Sequence, residues 1–195
     1  MTSETRNSID DVIEAAGRLF ARNGYEGTSM RDLGRELGLL GSSLYSHVAG
    51  KQDLLVAVVE RGGFLFQQSA EAALRHDGSA SDQLRALIAG HIGVVLDHRD
   101  EVRTFLNEAR SLDGPHRKRV LASRDAYEQT FRDVIARGIA SGEFADTVDP
   151  KTGAIFVLSI LNALERWFRD GGSMDRGELA TQLWSFVYPA FRPVH

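Results

Sequence analysis

The chain of 195 residues contains no cysteine and only four prolines. Without thiols there is no disulfide framework, no thiolate metal site and no cysteine nucleophile. Long apolar runs are missing too. The stretch 154–164 is interrupted by Ser159 and Asn162 and is too short to span a bilayer. The first eight residues are polar and lack the apolar centre of a signal peptide. Positive charge is not in excess either. The formal net charge is −4, and residues 1–52 carry six basic side chains against seven acidic ones. If the chain binds nucleic acid, placed contacts must achieve it rather than a general basic field. No glycine-rich nucleotide pattern occurs, and no nucleophile is accompanied by a base. A carboxylate-bridged metal bundle would need Glu-x-x-His on two helices. Only Asp113-Gly-Pro-His116 approximates it, at a proline turn, while His91 and His98 stand two turns apart. His91, on an apolar face, reads as a core histidine. With 43% hydrophobic residues the chain can build a real core. The expectation is a soluble, cytoplasmic protein with no metal, no cofactor, no catalytic centre and no membrane contact.

What is present is helical throughout, with no strand alternation of useful length. Ile9, Val12, Ile13, Ala16, Leu19 and Phe20 form one apolar face. Asn7 or Ser8 can cap that helix, and Gly24 ends it. A short helix follows Ser29, whose pairing with Asp32 reads as an acidic capping box; Met30, Leu33 and Leu37 are its buried stripe and Gly38 closes it. A third helix is expected over 42–48 and a long one from 51 to about 75. The linker 76–81 precedes helices at about 83–98, 100–110, 116–141, 150–169 and 174–191. The reading is an all-α protein of about nine helices, a small N-terminal unit leading a larger bundle.

The helix after Ser29, the Gly38 turn and the helix over 42–48 have the proportions of a helix-turn-helix. Gly34 lies inside the first of these, where close approach would call for a small residue. The second helix would present Ser42, Ser43, Tyr45, Ser46 and His47. Lys51 opens the next helix, where a cation opposes the helix dipole, so a bound phosphate would explain it. Spacing alone equally allows three small helices packed as a structural subdomain.

The run Ala15-Ala16-x-x-Leu19-Phe20-Ala21-x-x-Gly24-Tyr25-x-Gly27-Thr28-Ser29-Met30-Arg31-Asp32-Leu33, continued by Leu37-Gly38-Leu39, Ser43-Leu44-Tyr45-x-His47 and Gly50-Lys51-x-Asp53-Leu54-Leu55, resembles the DNA-binding domain of the TetR family of transcriptional regulators. The resemblance covers residues 9–55 without a gap. It implies a DNA-binding domain over 1–52 and a ligand-binding and dimerisation domain over 53–195. The implied protein is a homodimeric repressor on a palindromic double-stranded operator, released by a small-molecule effector. By position, Ser29 and Arg31 match residues at the DNA backbone or nearby bases. Gly41, Ser42, Ser43, Tyr45 and His47 match the recognition helix and its start, and Lys51 matches a phosphate-binding lysine. Gly41 stands where many members carry a base-reading side chain, and Gly50 replaces the usual cap.

Asn107-Glu108-Ala109-Arg110 and Glu165-Arg166-Trp167-Phe168-Arg169-Asp170-Gly171-Gly172 are similar to segments of TetR regulators that answer to acyl-CoA thioesters, with Asp170 in place of a proline. The implied ligand residues are Phe105, Glu108, Arg110, Asn162, Arg166 and Trp167, with aromatics for an acyl chain and arginines for phosphates. The same charges could be paired surface groups, and a multidrug-type cavity would use the same aromatics. The helix over 150–169 is apolar on nearly every side, so one face can meet a second subunit. Leu158, Leu161, Leu179, Leu183, Phe186 and Val187 are the expected seam; the other reading makes these two helices the centre of a monomeric bundle. A carrier or enzyme without a DNA role is the rival from another class.

Overall fold

The computed structural model describes residues 8–39, 44–46, 48–75, 77–169 and 171–193. Among these residues there are eight α-helices and two 3-10 turns and no strand. The helices are α1 (Ile9–Asn23), α2 (Met30–Leu37), α3 (Lys51–Leu74), α4 (Ala80–Asp97), α5 (Arg99–Asn107), α6 (Gly114–Ala140), α7 (Pro150–Trp167) and α8 (Arg176–Val187). The 3-10 turns are Ala109–Ser111 and Tyr188–Ala190. Leu44 and Tyr45 are helical as well, and the rest of the expected third helix lies outside the described residues apart from Ser46 and Val48. No helix among the described residues is long and apolar enough to cross a membrane.

Two compact units form: 1–63 with 100–120, and 64–99 with 121–195. The expected boundary after residue 52 falls in the first turn of α3, which runs on without a break to Leu74. In the first unit α1 buries Val12, Ala15, Ala16, Leu19 and Phe20. Leu33, Leu54, Leu55, Val58 and Val102 complete that core. The crossing of α3 and α5 depends on Gly62. A Cβ there would sit 2.9 Å from the Phe105 Cβ and 3.2 Å from the Glu101 carbonyl oxygen. In the second unit, α4 packs on α7 and α8. Its core takes Leu84, Ile88, Phe131, Ile135, Leu161 and Leu179.

Helix boundaries follow their caps. Ser8 caps α1 in a full box with Asp11, and Ser29 caps α2 with Asp32. Three starts differ from expectation by two or more residues, among them that of α6, at Gly114 rather than 116. The α4 helix begins at Ala80, three residues early, because Ser79 caps it. The Glu143 carboxylate also accepts from the Ala80 and Ser81 amides at 3.1 and 3.0 Å. The α8 helix begins later than expected, at Arg176, under an Asp175–Glu178 capping box. A carboxylate reaching back over about sixty residues leaves no trace in local spacing.

Candidate nucleic-acid and effector sites

The α2 helix is held at both ends. The Asp32 amide donates to Ser29 Oγ at 3.2 Å, and the Ser29 amide and hydroxyl donate to the Asp32 carboxylate. The Ser29 hydroxyl and then its amide hold the Asp32 carboxyl below the usual carboxylate range. Gly38 takes a left-handed conformation, φ 65°, at the C-terminus. Gly34 suits that turn, since a Cβ there would lie 3.1 Å from the Leu39 carbonyl oxygen and would need it to shift by a few tenths of an ångström. Ser29 therefore spends its polar atoms on the helix itself. Arg31 is exposed next to it. Leu44 is fully buried and Tyr45 is 56% exposed, so the segment is anchored by one side chain and presents the next. Gly41, Ser42, Ser43 and His47 lie outside the described residues.

Lys51 has a structural explanation that spacing did not show. Its ammonium donates to the carbonyls of Tyr25 (2.8 Å) and Thr28 (2.9 Å) and lies 4.0 Å from the centre of the Tyr25 ring. Two carbonyls and an aromatic face offset the unfavourable position at the start of α3. An ammonium carries three donors, so one remains after both carbonyls are served. The Tyr25 hydroxyl donates to Gln52 Oε1 at 2.8 Å, and Gln52 Nε2 donates to the Ser111 carbonyl at 3.5 Å. The Ser111 hydroxyl donates to Glu108 at 3.0 Å. Another oxygen of that carboxylate lies 3.6 Å from where a Cβ would stand on Gly24. Glu108, expected at a ligand, is thus set against the turn before α2. Gln52 and Ser111 escaped the sequence reading because their partners are remote in the chain.

The six expected ligand residues divide between the units. Phe105, Glu108 and Arg110 belong to the first; Asn162, Arg166 and Trp167 belong to the second. Phe105 is buried and packs on Gly62. Arg110 is exposed. Arg166 is exposed and pairs with the Glu165 carboxylate at 3.2 Å. Trp167 is 55% exposed and meets Phe168 edge to face. Asn162 is half-buried, beside His91. His91 is a core residue, as its apolar helix face suggested.

The residues expected at the seam differ in burial. Leu161 is 1% exposed and Leu179 is equally enclosed, so both belong to the protomer's own core. Leu158, Leu183 and Val187 are buried at its edge. Only Phe186, 73% exposed, stands outside. The large apolar side chains α7 leaves in solvent are Ile155, Phe156, which is 64% exposed, and Trp167 at its C-terminal end. An apolar groove of about 580 Å³ is lined by Val148, Phe156, Ile160, Phe186, Ala190 and Phe191 among others. None of the expected ligand residues lines it. No group of three or more metal-ligating side chains occurs among the described residues.

Residues 12–58 match the family model described as bacterial regulatory proteins, tetR family, and residues 77–190 match the tetracyclin repressor-like C-terminal domain. The transcriptional repressor KstR2 of Mycobacterium tuberculosis is 26% identical over 180 residues, covering 91% of this chain and 89% of its own. The fatty acid metabolism regulator protein of Bacillus subtilis is 23% identical over 160 residues, 82% of each chain. The crystal structure of AibR in complex with isovaleryl coenzyme A and operator DNA superposes with a TM-score of 0.83 at 26% identity, covering 94% of this chain and 99% of that one. Because the C-terminal match alone spans more than half of the residues and the N-terminal match falls on the capped helices, the chain belongs to the TetR family of bacterial regulatory proteins.

Proposed function

We propose that the protein is a homodimeric repressor that binds a palindromic operator and leaves it when an acyl-CoA thioester binds. The observation that carries the DNA half is Tyr45, a large side chain with a polar tip left in solvent directly after a fully buried leucine. A packed structural subdomain would bury that ring. Tyr45 with Ser42, Ser43 and His47 reads base edges, Arg31 serves the backbone beside them, and the third donor of Lys51 takes a phosphate. Ser29 acts by fixing the start of α2. The uncovered faces of α7 and α8 meet those of a second copy, which sets two recognition segments about 34–36 Å apart, one turn of the duplex. The effector half rests on the exposed Arg166 and Trp167 and on the relatives named above, one of them holding isovaleryl coenzyme A.

Mobility shift on DNA from the protein's own promoter region tests this reading. Tyr45→Ala weakens binding. Lys51→Met also weakens it, and reduces the slope of log affinity against log salt by about one for each phosphate it no longer neutralises. Octanoyl-CoA releases the wild-type complex. Wild-type affinity in both variants would remove the helix-turn-helix assignment, and complexes indifferent to every acyl-CoA would remove the effector.

A further inference from the structure

Inside the second unit lies a buried histidine whose ring is only half hydrogen-bonded among the described residues. His91 on α4 is 1% exposed, its ring 4.6 Å from that of Phe66 on α3. Its Nδ1 lies 3.0 Å from the hydroxyl of Tyr127 on α6, which in turn packs edge-on against Phe131. Nε2 is buried and makes no hydrogen bond among the described residues. Asn162 on α7 stands close enough to favour a protonated ring, yet no bond of ordinary geometry joins it to Nε2.

The direction of the His91–Tyr127 bond settles what Nε2 is. Burial pushes the Tyr127 hydroxyl pKa up, so it keeps its proton. Among the described residues Nδ1 is the one acceptor within reach of that proton. A hydroxyl that did not donate would leave a second buried polar atom unserved. Nδ1 therefore accepts, and in the neutral ring the proton sits on Nε2. Burial holds the imidazole neutral, with its pKa pulled down to about 3 against the opposing effect of Asn162. The unserved group is an uncharged N–H donor among aromatic rings, beside the half-buried Asn162.

We propose that His91 Nε2–H is the polar anchor of the effector site and takes an uncharged carbonyl oxygen, that of a thioester or ketone, on an otherwise apolar molecule. The assignment rests on the effector reading above and adds to it the atom that is recognised. An anionic head finds no counter-charge at this neutral ring; a carbonyl converts an unserved donor into a served one and brings apolar surface against Phe66 and Tyr127.

The test compares matched probes on the full chain by calorimetry. Octanoyl-CoA is set against S-octyl-CoA, which differs by a methylene in place of the carbonyl, and 4-phenyl-2-butanone against butylbenzene. The carbonyl member of each pair binds wild type on the order of tenfold more tightly, as a net hydrogen bond of about 1.4 kcal/mol implies. In His91→Leu, checked for folding by its melting curve, the preference disappears. Should that variant fail to fold, the wild-type comparison still decides, together with the nitrogen NMR signal of His91, which must report a proton on Nε2. Equal affinities within both pairs overturn the anchor and leave the acyl-CoA reading standing. Ketone preference without any CoA binding removes the acyl-CoA reading and keeps the anchor. No binding in either pair overturns both.

Discussion

Ser29 and Asp32 show how one side chain can be claimed by structure and by function at once. The seryl hydroxyl, which the resemblance led one to expect at DNA, here donates to and accepts from Asp32 within the capping box. Losing an N-cap costs about 1 kcal/mol, so Ser29→Ala lowers stability in urea even with no DNA present. The partner carboxylate has a pH signature. Its folded pKa is depressed by the Ser29 hydroxyl and amide, so its stabilisation is present above the unfolded value of about 3.9 and is lost as pH falls through the folded one. The stability gap between wild type and Asp32→Asn is therefore open at about pH 7 and closes as pH drops from about 5 towards 3. A gap that stays constant over this range would remove the charged box. The box was legible because its two members are three residues apart. Lys51 was not: both of its carbonyl partners lie more than twenty residues away.

Among the elements, α3 and α5 cross more closely than helix propensity alone would predict. Replacing a helical glycine by alanine normally stabilises by about 1 kcal/mol. At Gly62 the new methyl meets the Phe105 Cβ and a backbone oxygen, neither of which is the free end of a flexible side chain. Overpacking of this kind costs about 1–3 kcal/mol. Gly62→Ala should lower the urea midpoint with little change in slope, and a raised midpoint would mean the crossing can widen without penalty. Helix existence was readable almost everywhere from the three-and-four spacing of apolar residues. Their ends were read correctly at Ser8 and Gly24 but not at Ala80, although its Ser79 cap is equally local; there Glu143 also contributes from another element.

At the scale of the whole molecule, α7 and α8 carry an apolar face, with Phe156 and Phe186, that the other described residues do not cover. The spacing of apolar residues led to the expectation of a seam on these two helices; most of the residues it named are buried within the protomer, while Phe186 is exposed. A charge at Leu161 is buried in the protomer core and should unfold the chain, because an unpaired buried charge far outweighs the packing of one leucine. A charge at Phe186 or Phe156 meets only solvent in the free chain and should leave the melting temperature within a few degrees. Sedimentation then separates the cases. Phe186→Glu gives a folded monomer with weakened operator binding, and a dimer that persists in both Phe186→Glu and Phe156→Glu would move the interface elsewhere.

The sequence by itself determined that this is an all-helical chain with a capped short helix before a glycine turn, and thereby the family. Apolar periodicity, N-caps and left-handed glycines act within a few residues and survive in any tertiary setting. Which apolar side chains face inward and which remain uncovered was decided only by packing, since a helix apolar on every side has no preferred face until neighbours choose one. The same holds for polar groups. Glu108 lies against a turn far earlier in the chain, and one buried ring nitrogen of His91 has no hydrogen bond among the described residues, because hydrogen-bond partners are a property of proximity in space. Composition names the groups that need partners; the fold alone assigns them.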